Sequence, residues 1–361
     1  MKGMHEHGNL PKISFRNDYS EGAHPRLLQA LARASVEQNA GYGLDQHSVR
    51  AASLIRAAVQ CQAADVHFLA GGTQTNLTAM AAFLRPHEAA ITAASGHIAN
   101  HETGAIEATG HKVLGAPSPD GKLTPALIQP VLDQHADEHM VRPQLVYVSD
   151  STELGTIYTH AELAALREFC SARGLYLYLD GARLGSALAA EGNDLSLAGI
   201  AALTDAFYIG GTKNGALLGE ALVIVNPALQ GDFRYLIKQR GAMLAKGSVL
   251  GAQFEALFED GLFFELAAHA NRMAQRLGAA IVQAGFALAS DAPGNQVFPV
   301  LPDTLVAELR KRCEFEVWQR LPDATTVIRL VASWATREQA VDTFIEEFAE
   351  LTAQAATARR D

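Results

Sequence analysis

The stretch "YLYLDGARLG", residues 176–185, is an apolar run that ends on an acid, Asp180. A second run, "AFYIGGTKNGALLGEALVIV" at residues 206–225, is interrupted by glycines around Lys213 and then resumes. Nearly continuous apolar runs of this length are typical of strands buried on both faces of a sheet. Ligands of open α/β sheets bind at the carboxyl ends of the strands. The two stretches therefore predict an α/β fold in which an acid and a lysine face one ligand.

Further strand-like runs alternate with helical stretches from residue 24 to about residue 225. This alternation predicts a mainly parallel sheet with right-handed crossovers. The last two strands leave no room for a crossover helix, so we expect them to be antiparallel. The seven predicted strands cover residues 66–69, 89–93, 112–115, 144–149, 175–180, 205–210 and 221–225.

The pattern changes after residue 250. A long helical region at 252–285 precedes three short strand-like runs and a final helix, which together predict a small α+β unit. We therefore expect an N-terminal tail or arm (1–20), a large domain (21–265) and a small C-terminal domain (266–361).

Composition narrows the class of protein. The chain has 361 residues and a net charge of −10, which argues against nucleic-acid binding because that requires a basic surface. Its three cysteines form neither a disulfide framework nor a CxxC metal site, so we expect a cytoplasmic protein. An apolar run of 18 residues is absent from the sequence, which predicts no membrane span.

Lys213 and Asp180 each admit two interpretations. A lysine in a partly dry pocket has a lowered pKa and acts as a Schiff-base nucleophile, whereas most loop lysines are simply exposed. Asp180 is placed to meet a ligand, or it caps the following helix. Arg183 then either pairs with Asp180 or binds a carboxylate with its planar guanidinium.

Three other stretches offer candidate groups. "FLAGGTQTNLTAM" (68–80) predicts a helix N-terminus after a glycine turn, which is either an anion site or an ordinary helix start capped by Thr73. His97 and His101 have i, i+4 spacing, which suits zinc, although no third ligand is evident; His97 alone could instead cover a flat ligand. Arg329 interrupts a strand pattern and needs an anion if it points inward.

An amine, an acid and a phosphate site together match the needs of pyridoxal 5′-phosphate (PLP). The lysine forms the Schiff base, the acid keeps the pyridine nitrogen protonated, and the helix N-terminus binds the phosphate. We therefore predict PLP as the cofactor and no metal.

Several motifs, in the same order along the chain, resemble the low-specificity threonine aldolases of the aromatic amino-acid β-eliminating lyase/threonine aldolase family. This resemblance covers roughly residues 15–350. It implies a PLP fold of type I, with a large domain built on a mainly parallel seven-stranded sheet and a small C-terminal α+β domain. It also implies a homotetramer with shared active sites. The motifs are "RNDYSEG", "GYGLDQ", "HFLAGGTQTN", "GHIANHETGA", "STELGTIYT", "YLDGARLG", "GGTKNGALLGEA" and "IRLVASWAT".

The resemblance implies a role for each matching residue. Lys213 would bind the cofactor covalently, Asp180 would hold the pyridine nitrogen, and His97 would stack on the ring. The phosphate would lie against Gly72 and Thr73, with Thr212 nearby, and the substrate carboxylate against Arg183 and Arg329, with Asn17 close by. Tyr42 and Lys246 would reach the cofactor of a neighbouring subunit. Many family members have histidine where this chain has Glu153 and serine where it has Asn17.

The implied reaction cleaves a β-hydroxy-α-amino acid, such as L-threonine or L-allo-threonine, to glycine and an aldehyde. Glu153, His97 or a water molecule would accept the proton of the β-hydroxyl. Two alternatives stay open. The same residues suit another PLP reaction on amino acids, either β-elimination or racemisation, and a PLP-binding protein without catalysis belongs to a different class.

Overall fold

The structure of the protein, a computed structural model, describes residues 12–357, so that residues 1–11 of the predicted arm lie outside it. Within the described residues, no helix is both long and apolar enough to cross a membrane. The strands, in chain order, are β1 (Ile13–Ser14), β2 (Asp65–Leu69), β3 (Glu88–Ala93), β4 (Lys112–Ala116), β5 (Arg142–Ser149), β6 (Tyr176–Asp180), β7 (Ala206–Gly210), β8 (Glu220–Ile224), β9 (Gln296–Val297), β10 (Val300–Pro302), β11 (Cys313–Glu314), β12 (Glu316–Arg320) and β13 (Thr325–Val331).

The α-helices surround these strands and fill the connections between them. In chain order they are α1 (Pro25–Ala34), α2 (Gln46–Ala58), α3 (Gly72–Phe83), α4 (His97–Asn100), α5 (Pro125–Asp133), α6 (His160–Arg173), α7 (Leu184–Leu188), α8 (Leu197–Leu203), α9 (Phe233–Gln239), α10 (Ser248–Glu259), α11 (Leu262–Gln283), α12 (Asp303–Arg312) and α13 (Glu338–Thr357).

The large sheet has seven strands in the order β2-β8-β7-β6-β5-β3-β4. Only β8 runs against its neighbours; the other pairs, β7 to β6, β6 to β5, β5 to β3 and β3 to β4, are parallel. The mainly parallel sheet and the antiparallel last pair are thus confirmed. One edge of the sheet therefore collects the carboxyl ends of six strands and the first residue of β8.

Both faces of this sheet are buried, as the apolar runs predict. On β5, Val146 and Val148 point into one core, whereas Leu145 and Tyr147 point into the core on the opposite face. Successive side chains of a strand point to opposite faces of the sheet, and here both faces are buried. Polar side chains therefore fit only at the strand ends. The chemistry of the sheet is consequently confined to its edge.

The predicted helical region at 252–285 is two helices. It divides between α10 and α11 at Gly261, whose φ of +75° is a left-handed conformation that glycine adopts without strain. The break lets α10 pack against α2 while α11 continues into the C-terminal part.

The C-terminal sheet has four strands, where the sequence predicted three. β13 pairs antiparallel with β10 and β12, and its last residues pair with β9. The run "NQVFPVL" is divided because Pro299 has no N–H to donate between β9 and β10.

The start of the described chain packs into the C-terminal part. β1 pairs in parallel with β11, Ile13 opposite Cys313. Phe15 is fully buried beside Phe344 of α13, with the ring centroids 5.5 Å apart. Residues near the N-terminus thus belong to the apolar core of the C-terminal part; the predicted domain boundaries themselves stay a prediction.

Candidate active site

A cavity of about 820 Å³ opens at the carboxyl edge of the large sheet. Its walls come from the ends of β2, β3, β5, β6 and β7 and from the C-terminal sheet. Nine of the predicted site residues line it: Gly72, Thr73, His97, Glu153, Asp180, Arg183, Thr212, Lys213 and Arg329.

Asp180 ends β6 on the face of the sheet that carries buried tyrosines. Its Oδ1 accepts a hydrogen bond from Tyr208 Oη at 2.5 Å and another from Ala182 N at 3.0 Å. Its Oδ2 accepts from Asn76 Nδ2 at 2.9 Å and from Tyr147 Oη. Asp180 does not cap α7, because the N-cap residue of that helix is Arg183.

The carboxyl of Asp180 is ionised although it is buried. Burial alone would raise its pKa, but the positive charge of His97 and the hydrogen bonds from the tyrosines and Asn76 lower it below the ordinary value. The result is a fixed negative charge at the end of β6.

Lys213 lies in the loop between β7 and β8, three residues beyond the end of β7. Burial lowers the pKa of its ammonium, and the positive charge of Arg183 lowers it further. The loop turns back through Gly215 and Gly219, whose φ angles of +91° and +126° suit glycine. A partly buried amine of lowered pKa is a better nucleophile at neutral pH than an exposed lysine.

The N-terminus of α3 forms a second wall of the cavity. Its N-cap residue is Gly71, and no side chain caps the helix, so the alternative in which Thr73 is the cap is wrong. A Cβ on Gly72 would come within 3.1 Å of Tyr208 Oη, which shows how closely backbone and cavity wall approach. Thr212 lines the cavity beside it. We call Gly72, Thr73 and Thr212, the residues predicted to bind the phosphate, the phosphate cradle.

His97 begins α4 and is tied to a buried acid. Its Nδ1 donates to Glu102 Oε1 over 2.8 Å, and that oxygen also accepts from Asn76 Nδ2 at 2.8 Å. Burial would lower the pKa of His97, but the bond to Glu102 and the charge of Asp180 outweigh it and raise the pKa. His101, the other half of the i, i+4 pair, is exposed, and its ring centroid lies 5.6 Å from that of His97.

Arg183 lines the cavity but is paired with Asp18, not with Asp180. Its Nε and Nη2 donate to the two oxygens of Asp18 at 2.7 and 3.1 Å. Asn295 Nδ2 donates to the same carboxylate at 2.9 Å. This bidentate pair fixes the plane of the guanidinium and joins the N-terminal segment to the edge of the large sheet.

Arg329 points inward from β13. Its guanidinium lies over the ring of Trp318, 5.0 Å from the centroid, and its buried Nε has no hydrogen-bond partner among the described residues. Burial and the positive charge of Arg183 lower its pKa. A partly desolvated cation of this kind favours an anionic ligand in the cavity.

Glu153 follows β5 and reaches the cavity, as its position after a strand predicts. Ser149 Oγ donates to its Oε1 at 3.1 Å. Burial raises the pKa of this carboxyl, and the negative charge of Asp180 raises it further. Its pKa is thus displaced in the direction that a general base near neutral pH requires.

Three predicted residues lie outside the cavity wall. Asn17 Oδ1 accepts from Tyr19 N and Ser20 Oγ in a local turn. Tyr42 and Lys246 are exposed and lie together, because Tyr42 N donates to Ala245 O at 3.1 Å.

Sequence reasoning missed the residues that hold the predicted ones in place. Tyr147 and Tyr208 had a usable signal: each stands two residues before the end of its strand and therefore points to the same side as the residue that ends it. Asp18, Asn76 and Glu102 had none, since their partners are remote in sequence or depend on the fold.

The chain is similar to proteins named threonine aldolase. A relative named low specificity L-threonine aldolase, from Pseudomonas sp. (strain NCIMB 10558), is 34% identical over 91% of this chain and 94% of its own length. A second of the same name, from Pseudomonas aeruginosa, is 34% identical over 82% and 87%. The solved structure of Leishmania major threonine aldolase is 53% identical with a TM-score of 0.93, covering 94% of this chain and 99% of that one.

More distant structures show the fold alone. Aspartate aminotransferase from Thermus thermophilus, at 16% identity, gives a TM-score of 0.71 over 94% of this chain and 91% of its own. The α/β fold of type I predicted from the sequence is therefore confirmed. The model of one family, beta-eliminating lyase, matches residues 15–359, nearly the whole described chain. The chain belongs to the beta-eliminating lyase family.

Proposed function

We propose that this lyase is an aldolase that cleaves β-hydroxy-α-amino acids, L-threonine and L-allo-threonine among them, to glycine and an aldehyde. The observation that carries the proposal is that Lys213, Asp180 and two arginines line one cavity. The relatives named threonine aldolase support the choice of substrate.

The family and the fold imply PLP as the cofactor, and the residues present fit it. Asp180 offers an ionised carboxylate for the pyridine nitrogen, Lys213 a buried amine, and the phosphate cradle an uncapped helix N-terminus. Four hydrogen bonds already fill the acceptor sites of Asp180, so a ring nitrogen would replace one of them. When bound, PLP takes up the electron pair released as the substrate bond breaks.

The residues of the chain then have distinct tasks. Lys213 Nζ would hold the cofactor covalently. Asp180 would keep the pyridine nitrogen protonated, and His97 would cover the ring. Arg329, whose Nε has no hydrogen-bond partner within residues 12–357, binds the substrate carboxylate and thereby orients the Cα–Cβ bond. Glu153, directly or through a water molecule, accepts the proton of the β-hydroxyl as that bond breaks.

Incubation with PLP and a panel of β-hydroxy amino acids tests the proposal. We expect aldehyde and glycine in equimolar amounts from threonine, and covalent trapping of the cofactor at Lys213 by borohydride. The Lys213→Ala variant should lose both. Ammonia and a keto acid would show β-elimination instead, and an inverted amino acid would show racemisation; either result, without aldehyde, contradicts the proposal.

We also propose a homo-oligomer, most simply a tetramer, in the cytoplasm. Tyr42 and Lys246 lie together on an exposed part of the surface. If a second copy of the chain packs there, both residues can reach the cofactor bound by that copy. The cytoplasmic location rests on the cysteines, since Cys61, Cys170 and Cys313 are all unpaired by disulfides.

A further inference from the structure

Glu220 is an acid that lines the same cavity as the phosphate cradle, where an anion is proposed to bind. It is the first residue of β8 and lies opposite Leu69 of β2 on one side and Gly210 of β7 on the other. Those two strands lead directly to the two parts of the phosphate cradle, the N-terminus of α3 and Thr212. The Glu220 side chain lines the same cavity.

The carboxyl of Glu220 is held firmly in this position. Only 4% of the residue is exposed, and its Oε2 accepts from Gly211 N at 3.0 Å. Burial raises its pKa to about 8, because the hydrogen bonds from Thr212 and Gly211 and the charge of Lys213 offset burial only in part. The other titratable groups facing it are Asp180 and Tyr178 on β6 and Tyr208 on β7.

An ionised Glu220 would oppose a phosphate dianion at this place, since like charges in a buried site disfavour each other. A neutral carboxyl has the opposite effect, because its O–H is a hydrogen-bond donor. Binding of the cofactor phosphate therefore favours protonation of Glu220.

We propose, resting on the PLP assignment made above, that Glu220 binds the cofactor phosphate in its protonated form, so that loading of the cofactor carries a proton into the site. Glu220 thus makes cofactor retention sensitive to alkaline pH. Nothing in this role requires Glu220 to take part in bond cleavage.

The test compares two ligands that differ only in the phosphate. The dissociation constants of PLP and of pyridoxal are measured by absorbance on cofactor-free protein at pH 7 and pH 9. Ionisation of Lys213 and Asp180 affects the binding of both ligands, so the ratio of the two dissociation constants reports only on the interaction with the phosphate. With a pKa of about 8, the preference for PLP over pyridoxal should fall about 10-fold between the two pH values.

The matched variant is Glu220→Gln, which keeps the shape of the side chain and cannot ionise. Its preference for PLP over pyridoxal should be the same at both pH values and, at pH 9, about 10-fold greater than that of the wild type. Equal pH dependence in the two proteins would overturn the proposal. A melting curve of the variant shows whether it is folded.

Calorimetry of the wild type gives an independent measurement that needs no variant. Titration with PLP at pH 9 in two buffers of different ionisation enthalpy should show uptake of about one proton more than titration with pyridoxal. Equal uptake for the two ligands would overturn the proposal. Both measurements are independent of aldehyde formation: a protein that cleaves threonine without this proton linkage contradicts the role of Glu220 alone.

Discussion

The negative charge of Asp180 is maintained by groups from four parts of the chain. Tyr147 and Tyr208 come from the neighbouring strands, Asn76 from α3 and His97 from α4. Four hydrogen bonds reach the two oxygens of Asp180, from Tyr147, Tyr208, Asn76 and the backbone N–H of Ala182, and each oxygen faces one N–H group, which cannot accept in return. A carboxylate accepts at both oxygens, whereas an amide accepts at only one.

Asp180→Asn should therefore reduce both activity and stability. The amide nitrogen would face an N–H donor, either Ala182 N or Asn76 Nδ2, at a cost of about 1–3 kcal/mol in the free energy of unfolding. Threonine cleavage should fall strongly, since an amide cannot keep the pyridine nitrogen protonated. Urea unfolding measures the effect on stability, and kcat measures the effect on activity. The control is Asp133→Asn, the same substitution at an exposed aspartate that ends α5. Wild-type turnover would show that the carboxylate only arranges the tyrosines.

Glu153 raises a different question, because its pKa is displaced upwards by burial and by Asp180. A base works in its ionised form. The acid side of the pH–rate profile should thus have its midpoint above the ordinary glutamate pKa of about 4.3, and activity should be lost as the pH falls through it.

Glu153→Gln removes this base while retaining its shape. We expect kcat for threonine cleavage to fall about 10²–10⁴-fold, and the acid limb due to Glu153 to disappear from the profile. Binding of glycine, followed by the absorbance of the cofactor, should persist because it needs no base at the β-hydroxyl. A decrease of only a few-fold would assign the proton transfer to His97 or to water, and His97→Asn would then be compared.

At the residue scale, the sequence predicted nine of the side chains that line the cavity but not the groups that hold them in place. Polar residues at the ends of apolar strands could be recognised as candidate functional residues, because a polar side chain there contributes little to the packing of the sheet. The partner of Arg183 was not, because Asp18 lies 165 residues away and reaches it only through the path of the N-terminal segment. Long-range ion pairs of this kind leave no local pattern.

At the scale of elements, the spacing between β6 and β7 sets the position of the site. Gly210 N donates to Gly181 O at 2.9 Å where the two strands end. A Cβ on Gly181 would lie 1.9 Å from Tyr208 O, and one on Gly210 would lie 2.3 Å from Ala182 O. Glycine is needed at both places so that the loops bearing Arg183 and Lys213 can approach each other.

Gly181→Ala should accordingly separate the two strands. We expect a loss of about 1–3 kcal/mol in the free energy of unfolding, as for other overpacked sites, together with weaker PLP binding. Gly199→Ala, in α8, is the matched control, because a Cβ there would make only ordinary van der Waals contacts, the nearest at 3.5 Å. Thermal melting and cofactor titration would distinguish them; equal stability of the two variants would contradict the argument.

Long apolar strands were predictable, and short ones were not. All seven strands of the large sheet were found within a few residues of their predicted bounds. β1, β9 and β11 have two residues each, too few for any alternation to be visible. Such strands are defined by their partners and not by their own sequence.

At the scale of the whole molecule, one hollow of the surface is lined by exposed apolar side chains. Leu44 and Val49 are 63% and 60% exposed and line the same hollow as Tyr42. Exposed apolar side chains that lie together usually mark an interaction surface. We expect another copy of the chain to cover them.

Sedimentation of the wild type should therefore give a multiple of the chain mass, four-fold for a tetramer. Val49→Asp should shift it towards smaller species and weaken PLP binding, because it places a charge within the apolar contact. Val282→Asp, a change at a similarly exposed valine (54%) on α11, should leave the mass unchanged. An active wild-type monomer would rule out the shared site, and an unchanged mass for Val49→Asp would place the interface elsewhere.

The pairing of β1 with β11 also constrains the order of events during synthesis. The two strands are about 300 residues apart, and a ribosome needs roughly 15–60 s to add that many at about 5–20 residues per second. During this interval Phe15 lacks part of its apolar cluster, including Phe344, although the strands of the large sheet are already available to pair. Residues 13–15 thus reach their final place only after residue 313 has been made, and a nascent chain halted before that residue leaves Phe15 without β11 and α13 to cover it.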